Sequence, residues 1–246
     1  MTSLVEAPAG VELRELKDLA DVDALSRLFG EIWGTGSPLL PKDLLRAMAK
    51  AGSYVTGAYA DGRLVGGCVG FHEEPGARTI HSHIAGVLPA YAGKSIGYAL
   101  KMHQRSWALE RGITAIEWTY DPLISRNAYF NIVKLGARPV EYLTNFYGSM
   151  NDAINGTDDS DRILLRWEID SAESAEAAPS REKLRHIAVP PDIETLRVTD
   201  PDAARIWRTR LRDQLAPLMA DGWRVVGFDR THGYVVEPPT ESGEAS

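Results

Sequence analysis

The sequence predicts a mixed α/β protein with a hairpin-rich first half, two strand–helix crossovers in its second half, and a small C-terminal β-α-β-β extension. Three observations carry this reading. Apolar spacing along residues 11–169 switches between period two and period three-to-four, in the order β-α-α-β-β-β-α-β-α-β-β. Asp61-Gly62 between two apolar runs is a strong hairpin signal. Two crossovers beyond it place neighbouring strands parallel and open a crevice where such strands separate.

The elements follow in order. VELRELK reads as a first strand, and Val22, Leu25, Phe29 and Ile32 mark one face of a helix stopped by Gly34. A second helix runs from about Pro41 to Lys50, with Gly52 beyond it. Strands are expected over Tyr54–Ala60, Leu64–Phe71 and Thr79–Leu88. Ile96, Leu100, His103 and Trp107 give the face of a third helix ending at Gly112. Ile113–Tyr120 reads as a strand, Ser125–Leu135 as a helix, and Pro139–Tyr147 and Arg162–Ile169 as strands around a polar loop. Residues 1–170 are expected to form the main domain, 171–184 a linker, and 185–246 the extension with a disordered tail. In the extension a strand covers His186–Val189. A helix capped by Asp200-Pro201 shows the face Ala203, Trp207, Leu211, Leu215 and Leu218, with a kink at Pro217. Trp223–Asp229 and Tyr234–Glu237 close the chain as a hairpin.

Composition narrows the function classes. The chain has 246 residues, 44% hydrophobic and 25% charged, which suits a globular protein with a full core. A net charge of −7 with no basic run argues against nucleic acid as a partner. No apolar stretch spans a membrane and no signal peptide is visible, so a cytoplasmic protein is expected. Cys68 is the sole cysteine; within LVGGCVGF it reads as a small buried residue.

The stretch HSHIAGVLPAYAGKSIGYAL, from His81 to Leu100, carries the chemistry. An apolar run stops at Pro89 and a helix begins near Ser95. Between them Ala92-Gly93-Lys94-Ser95-Ile96-Gly97 combines small residues, one cation and a helix start. That is what a phosphate cradle requires: converging amides, room for an anion, and a helix dipole facing it.

With the element order, this turn resembles the GNAT superfamily of coenzyme A-dependent N-acyltransferases, whose pyrophosphate loop reads Q/R-x-x-G-x-G/A. GVLPAYAGKSIGYALK, IEWTYDPLISRNAYFNIVKLGA, YLTNFYG and DRILLRWEI resemble a less-studied bacterial branch of it, and the likeness spans roughly residues 10–237. The resemblance implies a GNAT-type central mixed sheet flanked by helices. It also implies an acyl-CoA co-substrate, acetyl or succinyl among the donors, and a small amine or amino acid as acceptor. The coenzyme would lie on Ala85, Val87 and Ala92 through Gly97, with a backbone amide of Ile84–Val87 polarising the thioester carbonyl. Ala92 replaces the family's Arg or Gln, and Ser95 replaces a glycine, which points to weakened coenzyme binding. The family's acid is a tyrosine four residues before the glycine of K-x-G; in Lys134-Leu135-Gly136 that place holds Ile132.

Other residues must therefore move the protons. Glu117 on the fifth strand and His83, which shares a strand face with His81, are candidate bases. Tyr147 is the candidate acid, with Tyr129 and Tyr142 as alternatives. Trp118, Asp121, Arg126, Asn127, Asn131, Tyr142 and Asn145 are the candidate substrate contacts, since an arginine fork suits a carboxylate. No metal is expected: the two strand histidines lack a third ligand. His103, beside Trp107 on a helix face, reads as core. The extension is long enough to cover the substrate mouth or to join two copies into a homodimer. Two further readings stay open: thioester hydrolysis or decarboxylation on the same scaffold, and a ligand-binding protein that has lost coenzyme A.

Overall fold

The computed structural model describes residues 7–35, 38–74, 76–148, 158–170 and 184–239. The expected linker, except for residue 184, falls outside them, as do most of the polar loop and the C-terminal tail beyond 239. The described residues divide into two compact units: those up to 118 with 168–170 form one, and those of 119–148, 158–167 and 184–239 the other.

The first unit is built on the strands β1 (Val11–Glu15), β2 (Tyr54–Ala60), β3 (Arg63–His72), β4 (Thr79–Val87) and β5 (Ala115–Tyr120), side by side in that order. The first four run antiparallel to their neighbours, and β5 lies parallel to β4. Asp61 and Gly62 join β2 to β3 with φ of 50° and 75°, the left-handed pair that a tight hairpin demands. Helices α1 (Leu19–Trp33) and α3 (Ile96–Leu109) cover opposite faces, while α2 (Lys42–Lys50) packs on α1 and β2. Adjacent positions show the two faces: a side chain at Gly66 would meet Leu100 of α3, and one at Gly67 would meet Leu25 and Phe29 of α1. The core between them is Val22, Leu25, Phe29, Val65, Val69, Ile80, Leu100 and Ile116, all nearly or wholly buried, and Cys68 is buried with them.

The second unit holds the antiparallel pair β6 (Arg138–Leu143) and β7 (Arg162–Glu168), whose last residue counts with the first unit. It also holds a three-stranded sheet in the order β8 (Arg185–Ile187), β10 (Gly233–Glu237), β9 (Arg224–Asp229). The helix expected over Ser125–Leu135 is one turn of α-helix, α4 (Ser125–Ala128), followed by a π-helical turn over Tyr129–Lys134. The Leu135 amide bonds back to Phe130 and the Ala137 amide to Asn131, the wider ring of an inserted residue. The strand expected to reach Tyr147 stops at Leu143. Beyond it Asn145 turns left-handed (φ 47°), and the amides of Phe146 and Tyr147 bond to Ser160.

The C-terminal part adds α5 (Ile193–Thr199), a helix the apolar spacing did not announce, and α6 (Pro201–Ala220). Asp200 caps α6 as expected, accepting from the Ala203 amide at 3.0 Å. The buried face of α6 is Ala204, Arg208, Leu211 and Leu215, so an arginine replaces the expected Trp207 at its centre. The helix continues through Pro217, which lies in its last turn.

Candidate active site

In the first unit the site grows from an unequal pairing of β4. Towards β3 the ladder runs the strand's length, with Val69 opposite Ile84 and Gly70 opposite Ser82, so His83 is the extra residue of a β-bulge. Towards β5 only three pairs form: Thr79 with Ala115, Ile80 with Ile116, and His81 with Glu117. From Ser82 onward β4 has no ladder partner in β5, and among the described residues its edge through Val87 stands open. His83 and Ala85 are exposed; Ile84, Gly86 and Val87 are half-buried. Trp33, at the end of α1, lies flush against this segment: a side chain at Gly86 would come within 2.7 Å of its ring.

The open edge leads into the loop. Leu88 anchors it, its amide bonding to Val65 at 2.8 Å, and a 3₁₀ turn covers Pro89–Tyr91. Gly93 (φ 78°) and Ser95 (φ 61°) are both left-handed. The first intrahelical bond of α3 runs from the Ala99 amide to the Ser95 carbonyl, so the amides of Ile96, Gly97 and Tyr98 have no helical acceptor. Ser95 makes no capping bond, and no acidic residue lies in the first turn. A side chain on Gly93 or Gly97 would meet nothing within 4 Å. Lys94 is exposed, with its ammonium 4.7 Å from the Tyr91 ring. Open space, unpaired amides, a helix dipole and a cation fit a pyrophosphate. Ala92 is exposed and offers no polar side chain.

On the α1 side of the sheet Phe71 stacks against both strand histidines, with ring centres 5.2 Å from His81 and 5.8 Å from His83. Partial desolvation, with Phe71 packed against each ring, pushes both imidazoles below their ordinary pKa. His83 lowers His81 further, while Glu117 opposes that shift. Both rings are therefore neutral at pH 7, as a proton acceptor must be. Trp118 is buried, its ring beneath the Lys101 ammonium at 3.8 Å. His103 is half-buried and bonded through Nδ1 to the Tyr54 hydroxyl at 2.9 Å, as a core position implies.

The second unit treats its polar residues differently. Asp121 is 4% exposed. It accepts a two-pronged bond from Arg208 at 2.8 and 2.9 Å, a second ion pair from Arg197, and the Leu123 amide. Burial alone would raise its pKa; Arg208, then Arg197 and Arg162, outweigh that and hold the carboxyl far below the ordinary range. Asp158 takes the remaining Nε of Arg208 at 3.0 Å. A second cluster joins Arg212 to Asp159 and Asp161; Asp161 also accepts the Tyr142 hydroxyl at 2.7 Å and the Asn145 amide at 2.9 Å. The Asn145 side chain accepts from the Ser160 amide.

Four of the expected substrate contacts have internal partners or are buried. Asp121, Tyr142 and Asn145 are committed to internal partners, and Asn131 is buried within the π turn. Arg126 is exposed and paired with Glu194, and Asn127 is half-buried. Tyr147 keeps an exposed ring, its hydroxyl 3.1 Å from Thr119 and its face beneath the Arg162 guanidinium at 5.5 Å. Sequence reasoning missed Arg197, Arg208, Arg212 and Lys101. The signal for two of them was present: Arg208 and Lys101 each occupy an apolar helical spacing, Ala204–Arg208–Leu211–Leu215 and Gly97–Lys101–Gln104–Ala108.

Residues 22–130 match the family model of the acetyltransferase (GNAT) family. Over this segment the sequence is similar to GNAT acetyltransferases. Solved structures agree on the fold. The ribosomal-protein-S18-alanine N-acetyltransferase from Escherichia coli superposes with a TM-score of 0.54 at 13% identity, covering 68% of this chain and 99% of that one. The putative acetyltransferase yncA from Salmonella typhimurium, solved with its cofactor acetyl-CoA, gives 0.53 at 16% identity, covering 70% and 99%. Arabidopsis thaliana Naa50, in complex with the bisubstrate analogue CoA-Ac-MVNAL, gives 0.51 at 19% identity, covering 64% and 98%. No curated protein matches the sequence significantly. The mixed sheet flanked by helices that the GNAT resemblance implied is thus the observed fold. Among the described residues no helix is long and apolar enough to cross a membrane, and no group of side chains suits a metal ion.

Proposed function

We propose that the protein is an acyl-CoA-dependent N-acyltransferase acting on a small amine or amino acid. One observation carries this reading: the open edge of β4 from Ser82 to Val87 leads directly into the unpaired amides that begin α3. An extended pantetheine arm can bond along such an edge while its pyrophosphate rests on Gly93–Tyr98. A backbone amide of Ile84–Val87 then polarises the thioester carbonyl. The amine nitrogen attacks that carbon, the C–N bond forms and the C–S bond breaks. The amine's proton passes to His83 or Glu117, directly or through water, and is then delivered to the departing thiolate. Much of the rate comes from holding the reactants together.

The test is calorimetric titration of the full chain with coenzyme A, acetyl-CoA and succinyl-CoA, beside Gly97→Asp. The variant puts a carboxylate where the pyrophosphate would sit, yet an acidic residue at a helix start does not weaken the helix. Saturable binding that falls at least tenfold in Gly97→Asp, with an unchanged melting temperature, supports the reading. No heat at millimolar ligand overturns it. Thiol release that requires an added amine marks a transferase; release without one marks a hydrolase, the reading favoured by Ile132 in the place of the family's acid.

A further inference from the structure

A lysine sits at the vertex of the fork. Lys101 of α3 is 4% exposed, and among the described residues no carboxylate pairs with it. Its ammonium donates to Ser82 Oγ at 3.1 Å and to Gln104 Oε1 at 2.8 Å, and lies 3.8 Å above the Trp118 ring. The last β4–β5 pair is His81 with Glu117; the next residues along the two strands are Ser82 and Trp118. One cation therefore touches both strands at the first step beyond their last shared rung.

The arrangement is costly for a mere core position. A buried ammonium loses its hydration, and a methionine would fill similar volume without that loss. Gln104 turns its carbonyl to the lysine and leaves its own Nε2 without a partner. The other titratable groups near the ammonium are the Cys68 thiol, whose sulfur is 3.7 Å from Ser82 Oγ, and the His81 imidazole. Neither neutralises it at pH 7. A charge kept under these conditions is tied to the two strands it joins.

We propose that Lys101 is a positioning residue that fixes where β4 and β5 part, by binding Ser82 on one strand and the Trp118 ring on the other. It thereby sets which part of β4 is open to the thioester. The second statement rests on the acyl-CoA reading above; the first does not.

The test uses the full chain with Lys101→Met, amide hydrogen exchange, thermal melting and acetyl-CoA titration. The expected result is exchange at least tenfold faster in peptides covering 78–86 and 114–119, unchanged exchange elsewhere, a melting temperature equal or higher, and at least tenfold weaker acetyl-CoA binding. Ser82→Ala, which removes one of the two ties, should accelerate the same peptides two- to fivefold. Fork exchange within twofold of the natural protein overturns the proposal. So does uniform acceleration with a lower melting temperature, since that marks a general stabiliser. If Lys101→Met does not fold, Ser82→Ala decides by the same exchange. If the natural protein binds no acetyl-CoA while the fork loosens locally, Lys101 keeps its role and the acyl-CoA reading falls.

Discussion

The two units hold their polar groups in opposite ways. Around β4 and the start of α3 the backbone is left unsatisfied among the described residues: amides without acceptors, a strand edge without a partner, open space at Gly93 and Gly97. Around Asp121 and Asp161 nearly every charge meets a counter-charge: Arg208, Arg197 and Arg212 take up Asp121, Asp158, Asp159 and Asp161. An unsatisfied group near solvent is available to a ligand; a buried, satisfied one holds chain segments together. The same residue types thus serve recognition in one region and architecture in the other, and their partners tell them apart.

The comparison breaks most sharply at Arg208. Arg208→Ala leaves Asp121 and Asp158 buried with most of their compensation gone, an expected loss of about 3–5 kcal/mol in urea unfolding. A loss under 1 kcal/mol would show that the cluster is not structural. Its pH dependence follows from Asp121. The folded carboxyl sits below its unfolded value near 3.9, so its stabilisation is present above about pH 4 and is lost as pH falls below that. The natural protein should lose stability steeply below pH 4, and Arg208→Ala less steeply.

Lys101 gives the opposite sign, because it is a charge buried without a counter-ion among the described residues. Burial brings its pKa down to about 8, against about 10.4 in the unfolded chain. Between those values the unfolded state binds more protons. Stability therefore rises with pH from about 8 to 10.4, by roughly 3 kcal/mol from this group, and lies at its minimum below 8. Lys101→Met should lack that rise, read as the difference between the two urea midpoints from pH 7 to 10. Parallel curves would mean that the ammonium is not desolvated as the fold implies.

These two residues also mark where the sequence stops being legible. Local chemistry was readable: Asp61-Gly62 makes its turn, Gly34 ends α1 in a left-handed conformation, and Asp200 caps α6. Each needs only its own neighbours. The π turn at Tyr129–Lys134 was not readable, because one inserted residue leaves the apolar spacing almost unchanged. Helix α5 has seven residues, too few for a period to show. The internal partners of Asp121, Tyr142 and Asn145 lie 16 to 87 residues away, which no local pattern encodes. The place where β4 and β5 separate is likewise a pairing between distant segments.

The smallest expected effect sharpens the comparison at the loop itself. Ser95 holds φ 61° and ψ 10° without a capping bond, so its side chain gains nothing visible for the strain. A left-handed residue with a Cβ costs about 1 kcal/mol relative to glycine, partly offset by the larger unfolded-state entropy of glycine. Ser95→Gly should therefore raise stability by a few tenths to about 1 kcal/mol, a melting shift of roughly 1–3 °C in a chain this long. If the loop is a working cradle, the same change also tightens coenzyme A binding, because a hydroxymethyl group leaves the anion's approach. A gain in stability with unchanged affinity would place the anion away from Ser95, nearer Gly97. A loss of stability would mean that the serine makes a compensating contact, and the loop would then belong with the satisfied region rather than the open one.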